Sequence, residues 1–153
     1  MSEALAVATP GSDVTLTVTI PGAPATGGVR HLKATGFTYT PKNVAEWRAF
    51  VRMLVLEECR EFIPRGYPVE LTILVTKPQP SSYPKKPTAK VPCPWAWTTK
   101  PDLDNVAKQI TDAVKSVAMD DDNQITDMIL RKRWGEREEV QITVRRVSAE
   151  QCL

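Results

Sequence analysis

Carboxylates are concentrated in one part of the chain, with a spacing that suits metal or acid–base chemistry. Seven of the eight aspartates fall between Asp102 and Asp127. Most lie in two runs, Asp102-Leu103-Asp104-Asn105, with Lys108 one helical turn further on, and Asp120-Asp121-Asp122. The chain has a single histidine, His31, so catalysis by a Ser-His-Asp or Cys-His arrangement has little support. Any enzymatic chemistry must therefore rest on carboxylates and lysines, with or without a metal ion.

The two acidic runs flank a predicted helix, and we expect the chain to return towards the start of that helix after the second run. Asp102, Asp104 and one or two of the later aspartates would then lie together. Three carboxylates about 5 Å apart repel by roughly 3 kcal/mol per pair at an effective dielectric of about 20. Such a group persists only if a divalent cation or trapped protons offset the repulsion. Oxygen ligands favour Mg²⁺ or Mn²⁺ over zinc.

A metal held there could bind a phosphate oxygen and supply the hydroxide that attacks phosphorus, with Lys108 offsetting the negative charge that develops. Simpler interpretations stay open. Asp-x-Asp-Asn at the start of a helix is commonly a capping sequence, and three consecutive aspartates are commonly a solvated turn. An EF-hand is excluded, because Val106 and Ala107 stand where a ligand and the turn glycine belong.

Hydrophobic periodicity predicts an α/β (α+β) fold, a small mixed β-sheet packed against two main helices in a single domain. Strands are predicted at residues 14–20, 37–40 and 67–76, helices at 42–62 and 102–117, and a closing hairpin at 124–133 and 138–147. Residues 78–94 are predicted to form a long proline-rich loop. The domain is expected to span residues 13–147, between a flexible N-terminal tail (1–12) and a C-terminal tail (148–153).

The charges are segregated along the chain although the net charge is only +2. Residues 71–101 contain five lysines and no acidic residue, and basic residues return from Arg131 onwards. An acidic centre between basic segments is the layout of an enzyme that cuts phosphodiesters, although a solvated surface has a similar pattern. Trp95 and Trp97 alternate as in a strand, so they are either core residues or, less simply, base-stacking residues.

Composition predicts a globular protein of the cytoplasm. Hydrophobic residues make up 42% and charged residues 25% of the 153 residues, and apolar runs are too short for a transmembrane helix. Residues 1–13 lack the charged start and apolar stretch of a signal peptide. Three widely spaced cysteines indicate a reducing compartment and not a disulfide or zinc scaffold.

The run Lys100-Pro101-Asp102-Leu103-Asp104-Asn105, with Lys108 and Asp121-Asp122-Asn123-Gln124-Ile125, resembles the RusA-type Holliday-junction resolvases of bacteria and their phages. Ile20-Pro21-Gly22-Ala23-Pro24 and Tyr39-Thr40-Pro41-Lys42 are similar to the opening strand of that family and the approach to its first helix. The resemblance covers residues 14–147. It implies a homodimeric endonuclease that uses Mg²⁺ to cut four-way DNA junctions. Oxygen ligands would also suit Mn²⁺, and the short apolar runs predict no membrane partner. Two identical sites related by a two-fold axis suit a junction that is cut symmetrically.

The resemblance also implies roles for individual residues. The catalytic residues would be Asp102, Asp104, Asp122 and Lys108, and the metal ligands Asp102, Asp104, Asp122 and Asp121. Basic residues are expected to contact DNA phosphates: Arg30, Lys33, Lys85, Lys86, Lys90, Lys100, Arg131 and Lys132. Ser116 and Val117 depart from the family, which often has a glycine at this helix end. Two alternatives remain, a branched-DNA-binding protein that does not cut and a nuclease acting on flaps or forks.

Overall fold

β-Branched and apolar residues alternate along the segments that form the long strands, so each of these strands buries one side. The computed structural model describes residues 14–26, 30–31, 34, 36, 38–39 and 41–152. The long strands are β1 (Val14–Pro21), β4 (Val69–Lys77), β5 (Ile125–Trp134) and β6 (Glu139–Arg146). Two short strands, β2 (Arg30–His31) and β3 (Thr38–Tyr39), pair with each other. The strands predicted at 14–20 and 67–76 are confirmed.

The four long strands form one mixed sheet in the order β1-β6-β4-β5. β6 is antiparallel to both β1 and β4, whereas β5 is parallel to β4 and lies at the edge. The expected closing hairpin between the last two strands is therefore wrong, because β4 separates them. The turn between them contacts β4 instead: the Gly135 N–H donates to the Lys77 carbonyl oxygen over 2.9 Å.

Two helices, α1 (Lys42–Glu58) and α2 (Leu103–Val114), cover one face of the sheet. In α1 the buried residues are Val44, Trp47, Val51 and Val55, as the helical spacing predicts. The hydrophobic core lies between these helices and the inward residues of the strands, and it includes every second residue of β4 from Val69 to Val75. The prediction of a small mixed sheet against two helices in one domain is confirmed.

Both helices end earlier than their hydrophobic pattern predicts. α1 stops at Glu58 instead of residue 62, because Cys59 is extended and the chain then buries Ile63 beside Met119. α2 stops at Val114 instead of residue 117, and Ser116 follows with a φ of 68°. A short 3₁₀ helix (Asp122–Gln124) leads into β5, and another (Ala149–Cys152) lies in the segment predicted as the C-terminal tail.

Residues 78–101, which we call the strap, contain no helix or strand and connect β4 to α2. The strap is held by aromatic packing: the Trp97 ring stacks on Trp134 at 5.3 Å, and the Tyr83 ring meets Trp134 edge-on at 5.2 Å. The Pro94 carbonyl oxygen accepts hydrogen bonds from Trp134 Nε1 and Gln79 Nε2. The strap is therefore fixed against the end of the sheet and delivers the chain to the start of α2.

In the part of the chain that the structure describes, no helix is long and apolar enough to cross a membrane. The predicted N-terminal tail, residues 1–12, lies outside the described residues.

Candidate functional site

Two aspartates stand at the start of α2, where the strap ends. Asp102 is the residue before the first helical residue, and its side chain makes no capping hydrogen bond. Asp104 lies in the first turn, where the helix dipole favours a negative charge. Lys108 follows one turn later, and all three side chains are exposed. Since Asp102 does not cap the helix, the capping interpretation does not account for its place here.

These three side chains are also free of ion pairs among the described residues. Asp112, which continues the four-residue spacing of Asp104 and Lys108, differs because its carboxylate lies 3.6 Å from Arg48 Nη2. The start of α2 thus presents two carboxylates and an ammonium group that no neighbouring side chain neutralises.

Lys132 on β5 holds the backbone that leads to Asp102. Its ammonium group donates hydrogen bonds to the carbonyl oxygens of Thr99 and, over 2.9 Å, Pro101. It also lies 5.6 Å from the centre of the Trp97 ring. Lys132, which was predicted to contact DNA, therefore has a structural role: it links the end of the strap to the edge strand.

The three consecutive aspartates have different surroundings. Asp120 accepts a 2.6 Å hydrogen bond from Arg65 Nε. The Asp121 side chain accepts from the Asp122 N–H and caps the 3₁₀ helix, and it lies 3.3 Å from Lys115 Nζ. Hydrogen bonding with the Asp122 side chain, and then with Lys115, lowers the pKa of Asp121. Two of the three aspartates therefore have structural partners.

Asp122 is the exposed member of the run and lines a surface cavity of about 330 Å³. Thr111, in the last turn of α2, and Asp127, on β5, line the same cavity. A hydrogen bond of 2.9 Å links the Thr126 hydroxyl group to the Asp127 carboxylate. Sequence analysis counted Asp127 in the acidic segment but did not single it out. Asp127 is the third residue of β5, a strand that begins just after Asp122. That position in the sequence is the signal that could have identified it.

Gln124 fixes the geometry of the acidic run, and sequence analysis assigned it no role. The residue is 7% exposed, and its Nε2 donates to the carbonyl oxygens of Pro64 (2.7 Å) and Tyr67 (3.0 Å). Its Oε1 accepts from the Asp121 N–H over 2.8 Å. One amide group thus joins the loop after α1 to the backbone that carries Asp121 and Asp122.

The predicted metal ligands do not converge within one copy of the chain. Among the described residues, no group of three or more His, Cys, Asp or Glu side chains is placed to hold a metal. Asp104 lies in the first turn of α2, whereas Asp122 shares its cavity with Thr111. Thr111 follows Asp104 by seven residues, which is about 10 Å along the axis of α2. Ligands of one Mg²⁺ ion lie about 2 Å from the metal. One copy therefore presents its carboxylates at two places, the start of α2 and the cavity beside its last turn.

The described residues with predicted DNA contacts lie in three places. Lys85, Lys86, Lys90 and Lys100 are exposed on the strap, and Lys100 lines a cavity of about 270 Å³ with Lys77 and Trp97. Arg131 is exposed on β5. Arg30 belongs to β2, but its side chain is not among those described, and Lys33 lies outside the described residues.

Comparison with known proteins identifies the family. Residues 21–145 match the family described as "Endodeoxyribonuclease RusA". The chain is also similar to a protein of Bacillus subtilis (strain 168) called "Uncharacterized protein YqaN", with 30% identity over 112 residues, which are 71% of this chain and 78% of that protein.

The chain belongs to the RusA endodeoxyribonuclease family, a family of Holliday-junction resolvases. This membership confirms the resemblance that the sequence motifs indicated. The family consists of nucleases of the hydrolase class that generally depend on a divalent metal ion.

Proposed function

We propose that the protein is a homodimeric, Mg²⁺-dependent endonuclease that resolves four-way DNA junctions by paired symmetric hydrolysis of phosphodiester bonds during recombination and repair. The observation that carries this proposal is the exposed group Asp102, Asp104 and Lys108, which no ion pair neutralises among the described residues. A phage or prophage gene acting in the bacterial cytoplasm would fit this activity.

In this proposal the lysines of the strap and Arg131 bind DNA phosphates without sequence preference, because each released counterion favours binding. The ammonium group of Lys108 lies one helical turn beyond Asp104, so it can stabilise negative charge on a phosphate held at the start of α2. Asp102, Asp104 and Asp122 provide the carboxylates that the reaction needs, and Asp121 is the further predicted ligand.

The different locations of Asp104 and Asp122 suggest why the enzyme would need to be a dimer. Since no group of three metal-binding side chains is found among the described residues of one copy, we infer that the start of α2 takes further carboxylates from elsewhere. A second copy is the simplest source, because a two-fold axis would complete two sites at once. Two equivalent sites also match the two strands that a junction resolvase cuts.

Mixed dimers test this arrangement. Asp104→Asn and Asp122→Asn chains with different affinity tags are co-expressed, and the mixed dimer is isolated on both tags. If each site combines both copies, one site of the mixed dimer carries both substitutions and the other carries neither. We expect each homodimer to be inactive on a labelled four-way junction and the mixed dimer to cut one strand.

A second mixed dimer is the matched control. Asp102→Asn paired with Asp104→Asn places both changes at the same end of the site, so both composite sites stay defective and no cutting is expected. The Asp112→Asn homodimer should keep its activity, because Asp112 is paired with Arg48. An inactive Asp104→Asn/Asp122→Asn dimer that still binds the junction would contradict the shared site.

The separation of the aspartates also favours a second candidate, a branched-DNA-binding protein that does not cut. This candidate predicts tight junction binding by the wild-type dimer without cleavage under Mg²⁺ or Mn²⁺. A panel of flap and fork substrates in the same assay separates junction resolution from cleavage of other branched DNA.

A further inference from the structure

Two neighbouring tryptophans of the strap have opposite surroundings. Trp97 is 6% exposed and stacks on Trp134, whereas Trp95 is 70% exposed. Sequence analysis left open whether both rings belong to the core or stack on bases. The structure shows that Trp97 is a core residue and that Trp95 is not.

The backbone beside Trp95 is fixed on both sides. Pro94 is buried, and its carbonyl oxygen accepts hydrogen bonds from Trp134 Nε1 and Gln79 Nε2. On the other side, Trp97 Nε1 donates to the Lys100 carbonyl oxygen over 3.1 Å. Because this loop is held, it loses little backbone conformational entropy when the exposed ring of Trp95 binds a ligand.

Trp95 lies at the border of a surface cavity of about 360 Å³ that runs along the edge strand β5. Arg131 and Arg133 line the cavity, and so does Leu103, the residue between Asp102 and Asp104. Among the described residues that line it, none carries a carboxylate. The cavity is therefore lined by the exposed Trp95, by two arginines and by a residue next to the candidate site. Arg133 also donates a 2.8 Å hydrogen bond to the Lys132 carbonyl oxygen.

We propose that Trp95 stacks on an unpaired nucleobase while Arg131 and Arg133 contact the adjoining phosphates. Any base offers a face for stacking, so the site would accept all sequences, but a base inside a continuous duplex is already stacked. The site would thus favour DNA whose pairing is interrupted near the scissile phosphate. This inference rests on the proposed function, since it takes DNA as the substrate.

The charge of the lining favours an anionic occupant of this surface. Two arginines and a lysine line the cavity, and none of its described lining residues carries a carboxylate. The phosphates of DNA would neutralise this positive charge. Charge complementarity therefore favours the nucleic acid.

Binding measurements in EDTA, where a metal-dependent enzyme cannot cut, test the inference. The probes are a fluorescein-labelled single strand and a continuous duplex of the same sequence. We expect Trp95→Ala to weaken single-strand binding about 5- to 150-fold, the range that corresponds to 1–3 kcal/mol for one stacked base, with less than about a twofold change for the duplex. Trp95→Phe should retain single-strand binding, because its ring still stacks.

Leu56→Ala is the matched control, because Leu56 is 66% exposed on α1 and is not part of the cavity. This variant should bind both probes as the wild type does. Intrinsic tryptophan fluorescence gives a second readout: the single strand should quench the emission of the wild type, and Trp95→Phe should bind with much less quenching.

Three results for Trp95→Ala would overturn the inference. The variant could bind single strands as tightly as the wild type, or it could lose affinity equally for both probes. The third result is a changed oligomer mass of the DNA-free variant with no change in DNA binding. The last result would assign Trp95 to self-association. Cleavage of a four-way junction by the wild type reports on the proposed function separately. If the wild type cuts junctions and Trp95→Ala binds single strands normally, only the proposed stacking site is refuted. If the wild type does not cut but Trp95→Ala still weakens single-strand binding, only the proposed function is refuted.

Discussion

Lys132 Nζ lies 2.9 Å from the carbonyl oxygen of Pro101, so the edge strand of the sheet directly holds the residue before Asp102. The same ammonium group donates to the Thr99 carbonyl oxygen. The position of the candidate site thus depends on a contact between β5 and the strap, 31 residues apart in sequence.

Replacing Lys132 with methionine should affect stability more than DNA binding. Loss of the two charged hydrogen bonds should lower the free energy of unfolding by about 1–2 kcal/mol. The dependence of DNA affinity on salt should stay unchanged. Thermal unfolding and binding titrations at several salt concentrations measure the two effects.

Arg131→Met is the control for that variant, because Arg131 is the exposed neighbour on the same strand. Its stability should change by less than about 0.5 kcal/mol, whereas the log–log salt slope should become shallower by about 0.9. If Lys132→Met flattened the salt slope equally and left stability intact, Lys132 would be a phosphate-binding residue.

Gln124→Met should destabilise the protein by about 2–3 kcal/mol, because methionine fills similar space but removes three hydrogen bonds between the buried amide and partly buried backbone groups. The groups affected are the Asp121 N–H and the carbonyl oxygens of Pro64 and Tyr67. Asn123→Ala, an exposed change one residue away, should cost less than about 0.5 kcal/mol. Equal denaturant midpoints for the two variants would refute the role assigned to Gln124.

Ser116→Gly should stabilise the protein. Ser116 has a φ of 68°, a left-handed conformation that costs a non-glycine residue about 1–2 kcal/mol. Glycine removes that strain but adds entropy to the unfolded chain, so a net gain of about 0.5–1 kcal/mol is expected. Calorimetry should show a melting temperature about 1–4 °C higher. A lower melting temperature would mean that the serine side chain makes a favourable contact that outweighs its strain.

The Lys115–Asp121 pair should make stability depend on pH at both extremes. The pKa of Asp121 is lowered by hydrogen bonding with Asp122 and Lys115, so its contribution is present above the unfolded value of about 3.9 and is lost as pH falls through the folded pKa. The pKa of Lys115 is raised by its hydrogen bond to Asp121. Its contribution is present below about pH 10.4 and is lost as pH rises through the folded pKa.

Thermal unfolding of the wild type and Lys115→Met from about pH 3 to pH 9 measures the acid side of this dependence. The wild type should have the higher melting temperature between about pH 5 and pH 9, and the difference should shrink below about pH 4. A difference that stays constant down to about pH 3 would show that the ion pair is not its source.

Much of the fold could be predicted because periodicity reports which residues are buried. In β4, every second residue from Val69 to Val75 is apolar and fully buried, which fixes both the strand and its inward face. The pairing of β5 with β4 could not be predicted in this way, since alternation does not show which strand is the neighbour. The expected hairpin failed for that reason.

The candidate site could be predicted in part. The helix pattern and Pro101 correctly placed Asp102 and Asp104 at the start of α2. The grouping with Asp122 stays a prediction, since no group of three metal-binding side chains is found among the described residues. The roles of Gln124 and Lys132 depend on contacts with residues 57 to 61 and 31 positions away, respectively, which no local pattern reveals.

The measurement that tests the central claim most directly is cleavage of a labelled synthetic four-way junction beside a duplex of matched sequence, with Mg²⁺ and with EDTA. We predict paired symmetric nicks in the junction alone, absent in EDTA and absent for Asp104→Asn, which should still bind the junction. A wild-type protein that binds the junction tightly but leaves it intact under Mg²⁺ and Mn²⁺ would contradict the assignment as a resolving endonuclease.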